Sequence, residues 1–266
     1  MLIDIHLHSQ FSFDSKEKPE KFIKEAKRLS VPIIGFSEHY DYDAVLDGEN
    51  IPLANLPLYV KKMEELRKSG DAPEILCGIE FGYRDAAEEK YKEIINNYNL
   101  DYSIYSVHTL KGKGDCFHNR FFDGQTLKES YQNYFNAVLD SVKSEVDYQI
   151  IGHIGYVSRY RKEDGAKIAY SDFKDIIDEI LYEIIWRGKC LEINTSVGSS
   201  KSRFLPDCDI IERYLEFGGE LLSFGSDAHC ANDYLRRGGE VSEYLGSIGV
   251  KYLFYYKNRK PIAYKF

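Results

Sequence analysis

The sequence is short of features that would tie it to a membrane or to a polymeric polyanion. No apolar run approaches the ~18 residues a membrane span requires. The opening MLIDIHLHSQ carries an acid at position 4, where a secretion signal would run apolar. Lys and Arg number 35 against 43 Asp and Glu, a formal charge of −8, which suits neither a basic nucleic-acid face nor long nucleic acid as a partner. The cysteines, Cys77, Cys116, Cys190, Cys208 and Cys230, are odd in number and form no C-x-x-C pair, so free thiols and a cytoplasmic setting are expected. No G-x-S-x-G signature is present, which leaves no activated serine nucleophile to expect. Histidine is scarce too, at 7 residues, and where these fall is the most informative fact in the chain.

What is present is ordinary for a globular protein: 266 residues, 43% hydrophobic and 29% charged, enough to bury a sizeable core. Short apolar runs alternate with longer amphipathic ones from end to end, the pattern of a parallel α/β protein. The strand-like runs end near His6, Ser37, Glu80, Val107, Gly152, Asn194 and Ser226, with a last one over Val250–Tyr256. Helical periodicity covers Pro19–Leu29, Leu56–Lys68, Glu88–Asn97, Leu127–Lys143, Asp172–Arg187, Asp207–Phe217 and Tyr234–Leu245. No linker divides the chain, so one domain over residues 1–266 is expected. About seven such units of some 30–45 residues fit a TIM-like barrel better than an open sheet.

Polar residues gather where each apolar run ends, which in such barrels is where chemistry sits. The first run gives Asp4-Ile-His6-Leu-His8; strict alternation would put Asp4, His6 and His8 on one face. Glu38-His39, Glu80, His108 and His153 follow at later ends, and the seventh gives Gly225-Ser226-Asp227-Ala228-His229. Six histidines with Glu80, Asp227 and Asp14 exceed what one tetrahedral ion takes, so two to three clustered divalent transition ions, Zn, Fe or Mn, are expected. Glu80 is the expected bridge. His118, in a loop with no strand before it, is the histidine outside this pattern. Asp4 is a candidate to fix the tautomer of a ligand.

D-x-H-x-H-S, E-H, G-x-E, S-x-H, G-H, E-x-N-T-S and G-S-D-A-H occur in this order from Asp4 onward. The series resembles the polymerase-and-histidinol-phosphatase (PHP) superfamily and, within it, the histidinol-phosphate phosphatase branch. The resemblance implies a distorted TIM-like (β/α)7 barrel with a trinuclear site. His6, His8, Glu80 and Asp227 would hold one ion, Glu80, His108 and His153 a second, and Asp14, His39 and His229 a third. Glu80, Asp227 and His229 are then the catalytic candidates. Glu38 is not implied as a ligand and is expected to orient one or cap a turn. Phosphate-binding arginines are implied at Arg159 and at Arg203 or Lys201. Where the family often has G-H-x-D, this chain reads Gly152-His153-Ile154-Gly155, so support from that Asp must come from elsewhere.

The implied activity is a metal-dependent phosphomonoesterase that hydrolyses L-histidinol phosphate, a small phosphorylated substrate, with water activated between ions. Within the superfamily the alternatives are nucleotides, nucleic-acid ends or phosphotyrosine. A metal-dependent amidohydrolase would need a bridging Lys where Glu80 stands, and a non-catalytic metal module should have lost ligands. Three divalent ions would bring about +6 against roughly −3 from Asp14, Glu80 and Asp227, so a phosphate would meet local positive charge on an acidic protein.

Overall fold

The computed structural model describes the chain except residues 47, 71–72, 111–113, 117–118, 161–166 and 199, and the side chains of 115, 119 and 120. His118 therefore lies outside the described residues. Six parallel strands, β1 (Ile33–Tyr40), β2 (Glu74–Gly82), β3 (Tyr102–Ser106), β4 (Ile150–Ile151), β5 (Cys190–Asn194) and β6 (Leu222–Gly225), lie side by side in chain order. Residues 3–8 close the two edges of this sheet. Gly35 and Ser37 of β1 donate to the carbonyls of Asp4 and Leu7, while on the other side Asp227 donates to His6 and His8 to Ala228. The result is a distorted barrel of six parallel strands, closed by the bridges of residues 3–8.

Among the described residues seven helices surround it: α1 (Pro19–Arg28), α2 (Leu56–Arg67), α3 (Glu88–Asn97), α4 (Leu127–Lys143), α5 (Lys174–Trp186), α6 (Cys208–Glu216) and α7 (Gly238–Ser247). Their apolar residues recur at helical spacing, such as Ile177, Ile180, Leu181 and Ile184 on α5, and pack on the outer face of the sheet. Thr126 and Glu129 form a reciprocal capping box at the start of α4. The barrel interior is a separate cluster, Ile3, Ile5, Leu76, Tyr102, Ile104, Ile150, Cys190 and Tyr256. The Tyr102 hydroxyl donates toward the Ile5 and Phe36 carbonyls at 2.6 and 3.0 Å. Its ring fits because Gly78 faces it: a Cβ there would stand 2.2 Å from the ring.

Three local expectations are corrected. Strict alternation fails in the first strand, because Asp4 and Leu7, three apart, serve Gly35 and Ser37, two apart. That extra residue is a bulge. Ile3 and Ile5 face the barrel interior, Leu7 faces the outer core, and His6 and His8 turn in only beyond the bulge. The helix expected from Tyr234 begins at Gly238, since Leu235 and Arg237 have positive φ, 56° and 55°, which no helix accommodates. The run expected over Val250–Tyr256 is the first arm of an antiparallel hairpin, β7 (Leu253–Lys257) with β8 (Lys260–Tyr264), outside the parallel sheet. Its two turn residues, Asn258 and Arg259, both have positive φ, as a tight hairpin turn requires. Among the described residues no helix is long and apolar enough to cross a membrane.

Candidate metal centre

The register of β1 on β2 sets His39 beside Glu80, and the bulge sends His6 and His8 in from the neighbouring strand. Glu80, completely buried, ends up at the middle of the cluster. Its Oε2 lies 3.2 Å from His6 Nε2, 3.4 Å from His8 Nε2 and 3.0 Å from His39 Nδ1. Its Oε1 lies 2.9 Å from His153 Nε2 and 3.2 Å from His108 Nε2. The two oxygens of one carboxylate thus face two different groups of imidazoles. His108 and His153 come within 3.4 Å of each other through Nε2.

Asp227 follows β6 with a left-handed φ of 53°, a conformation Asp tolerates better than most residues. Convergence here comes from that turn and not from alternation along an extended strand. Asp227 Oδ1 lies 3.4 Å from His8 Nε2, 4.0 Å from His6 Nε2 and 3.7 Å from His229 Nδ1. Nearer the mouth, Asp14 Oδ2 lies 3.0 Å from His229 Nε2 and 3.5 Å from His39 Nε2. All nine expected ligands are therefore brought together. Among the described residues four triads have candidate ligand atoms within 4.8 Å of one another: His6, His8, Glu80; His39, Glu80, His108; His6, His153, Asp227; and His8, His39, His229. They only partly follow the grouping implied by resemblance: three of the four mix residues from different implied groups.

The donor set fits metal. His6 Nε2, His8 Nε2, His39 Nδ1 and Glu80 Oε2 are buried without a hydrogen-bond partner, a costly arrangement for a protein filled only by itself. Electrostatics without ions point the same way. Burial opposes charge on His6, yet Glu192 and Glu80 lift its pKa well above the ordinary value. Burial, with His39 and His229 beside it, pushes His8 well below. Glu80 is held far below the usual carboxylate range, against burial, by His6, His108 and His39. Such opposed shifts mark a site built around charge.

Arg159 reaches the cluster. Its Nη1 donates to Asp227 Oδ2 at 2.9 Å and its Nη2 to Ser196 Oγ at 2.6 Å. Arg203 is not brought there: it is exposed, with its guanidinium over the rings of Phe204 and Tyr244. Lys201 is exposed as well. Glu38 accepts from Ser9 N and from the Ser9 and Ser12 hydroxyls, and Ser12 Oγ lies 3.2 Å from His8 Nδ1. It holds the His8 ring through a serine. Asp4 touches no imidazole; it binds the backbone N–H groups of His6, Ser226 and Leu235, and burial raises its pKa to about 6. Two acids were missed by the sequence reading, Asp41 beside His108 and Glu192 beside His6. Asp41 stands two residues after His39 and Glu192 two before Asn194, so period-2 spacing was the signal available.

A parallel barrel whose strand ends converge on a buried cluster of imidazoles and carboxylates defines a metal-binding α/β barrel. The chain belongs to the PHP domain family, whose model matches residues 4–196. It is 31% identical over 229 residues, 86% of this chain and 87% of the relative, to a protein of Clostridium acetobutylicum described as a probable histidinol-phosphatase. It is likewise 31% identical to the histidinol-phosphatase of Lactococcus lactis, over 86% of this chain and 84% of that protein. Among solved structures, histidinol phosphate phosphatase from Lactococcus lactis, complexed with zinc, L-histidinol and phosphate, superposes with a TM-score of 0.84 at 27% identity, covering 98% of both chains.

Proposed function

We propose that this chain is a histidinol-phosphatase, a cytoplasmic enzyme that hydrolyses the phosphomonoester of L-histidinol phosphate to L-histidinol and phosphate. The observation that carries the reading is the place of Arg159: a guanidinium beside Asp227, at the edge of eight clustered candidate ligands with Asp14 at the mouth. The names and bound molecules of the relatives support this substrate over nucleotides or phosphotyrosine. His6, His8, Glu80 and Asp227 would hold one ion, Glu80, His108 and His153 a second, and Asp14, His39 and His229 a third. Bound divalent ions supply Lewis acidity toward phosphate oxygens and bring the pKa of water toward neutrality.

The chain's own residues do the rest. Glu80 offers one oxygen to each inner group of imidazoles, which fixes their separation. Arg159 is anchored at one end by Ser196 and lies over the rings of Tyr156 and Tyr160, 5.7 and 5.5 Å from their centroids, so it can present N–H donors to phosphate without a large search. Phe13, Ile51 and Tyr160 line the cleft above the ligands and would cover the organic half of the substrate, limiting water there. The test is phosphate release in the presence of Mn or Zn from histidinol phosphate, nucleoside monophosphates and phosphotyrosine. The expected result is a preference of about a hundredfold or more in kcat/KM for histidinol phosphate; equal turnover across the panel would overturn the assignment.

A further inference from the structure

Asp41 and Glu192 lie outside the ligand set and approach it from different strands. Asp41, just past β1, sets Oδ1 2.7 Å from His108 Nδ1, the ring nitrogen turned away from Glu80. Its Oδ2 is buried without a hydrogen bond, 3.5 Å from His39 Nδ1. Glu192 on β5 sets Oε1 2.5 Å from His6 Nδ1, again the nitrogen away from Glu80. Its Oε2 accepts from the His153 N–H at 2.7 Å and from Asn194 Nδ2 at 3.2 Å.

Both carboxylates reach their imidazole by passing over a glycine of an adjacent strand. A Cβ on Gly82 would stand 2.0 Å from Asp41 Oδ1, and its three nearest atoms all belong to Asp41. A Cβ on Gly225 would stand 2.2 Å from Glu192 Oε1 and 2.7 Å from His6 Cβ. Neither glycine has a positive φ, so what the positions require is space and not backbone freedom.

We propose that Asp41 and Glu192 are positioning residues of the metal centre, each crossing a glycine to hold the outer nitrogen of one histidine so that Nε2 faces Glu80. An imidazole whose Nδ1–H is held by a carboxylate is fixed in tautomer and orientation and is a more basic ligand. The two acids act on different inner groups, Glu192 on His6 at the Oε2 side of Glu80 and Asp41 on His108 at the Oε1 side. The inference rests on the metal-centre reading above.

Chelator-competition titrations with zinc test it, read as metal retention and not as turnover. Asp41→Asn and Glu192→Gln, which keep side-chain shape, are expected to weaken zinc retention by about 10- to 100-fold, with the melting temperature of the chelated protein little changed. Gly82→Ala should reproduce the Asp41→Asn loss, because the three atoms nearest the added methyl all belong to Asp41. In an Asp41→Gly background the same Gly82→Ala change should have almost no further effect. Zinc retention equal to the parent in Asp41→Asn and Glu192→Gln overturns the proposal, as does additivity of Gly82→Ala with Asp41→Gly. A parent protein that holds no zinc would instead overturn the metal-centre reading itself.

Discussion

Arg159 and Arg203 are both arginines in loops after barrel strands, yet only the first is drawn into the cluster. Arg159 has an acceptor on each side, Asp227 and Ser196, whereas Arg203 is satisfied by lying over Phe204 and Tyr244. Sequence order gave the loops their place but not the direction of a side chain, and that direction depends on partners brought in by other strands. Arg159→Met should therefore lower kcat/KM for histidinol phosphate by about a hundredfold or more through lost phosphate contact, while Arg203→Met should stay within about twofold. Equal losses in steady-state assays would sink the distinction. The His229 ring bonds Asp14 and the Asp227 carbonyl, so His229→Ala should abolish phosphate release with little change in circular dichroism. The candidates at strand ends were legible because each ends an apolar run, whereas Asp14 came only from the family resemblance; Asp41 and Glu192 were not singled out because period-2 spacing places an acid on a face without saying that it serves a histidine.

At the scale of elements, the alternation of short apolar runs and amphipathic stretches was enough to place seven helices and the barrel strands. What it could not disclose was the bulge in residues 3–8, since an extra residue in one strand is visible only against its hydrogen-bonded neighbour. The start of α7 was hidden for a similar reason, as left-handed turns at Leu235 and Arg237 are set by packing more than by residue type. The bulge puts Ile5 under the site and His6 in it, and Tyr102 holds that junction by donating to the Ile5 carbonyl. Tyr102→Phe leaves this buried carbonyl without its side-chain donor and should cost about 1–2 kcal/mol, measured by urea unfolding of chelated protein. No change in the urea midpoint would show that the hydroxyl contributes nothing to closure.

For the molecule as a whole, metal and proton compete for the same atoms. Against burial, Asp41 and Glu80 raise His108 from 6.5 to about 10 in the metal-free protein. The folded state then holds this proton more tightly than the unfolded chain does. Its stabilisation is complete below pH 6.5 and is lost as pH rises toward about 10. Metal needs the imidazole without that proton, so stabilisation by metal grows over the same range. Thermal melts should therefore show the chelated protein losing midpoint from pH 6.5 to 9 while its gap to the Mn-loaded protein widens; parallel curves would contradict this. The seam of the barrel adds a consequence in time. Asp4 and Ser226, bonded across that seam, are 222 residues apart, and a ribosome adding roughly 5–20 residues per second needs about 10–40 s to make the second after the first. Throughout that interval His6 and His8 are in the nascent chain without Asp227 and His229, so the complete ligand set is a product of finished translation and no earlier stretch of the chain can hoard the cell's metal on the same terms.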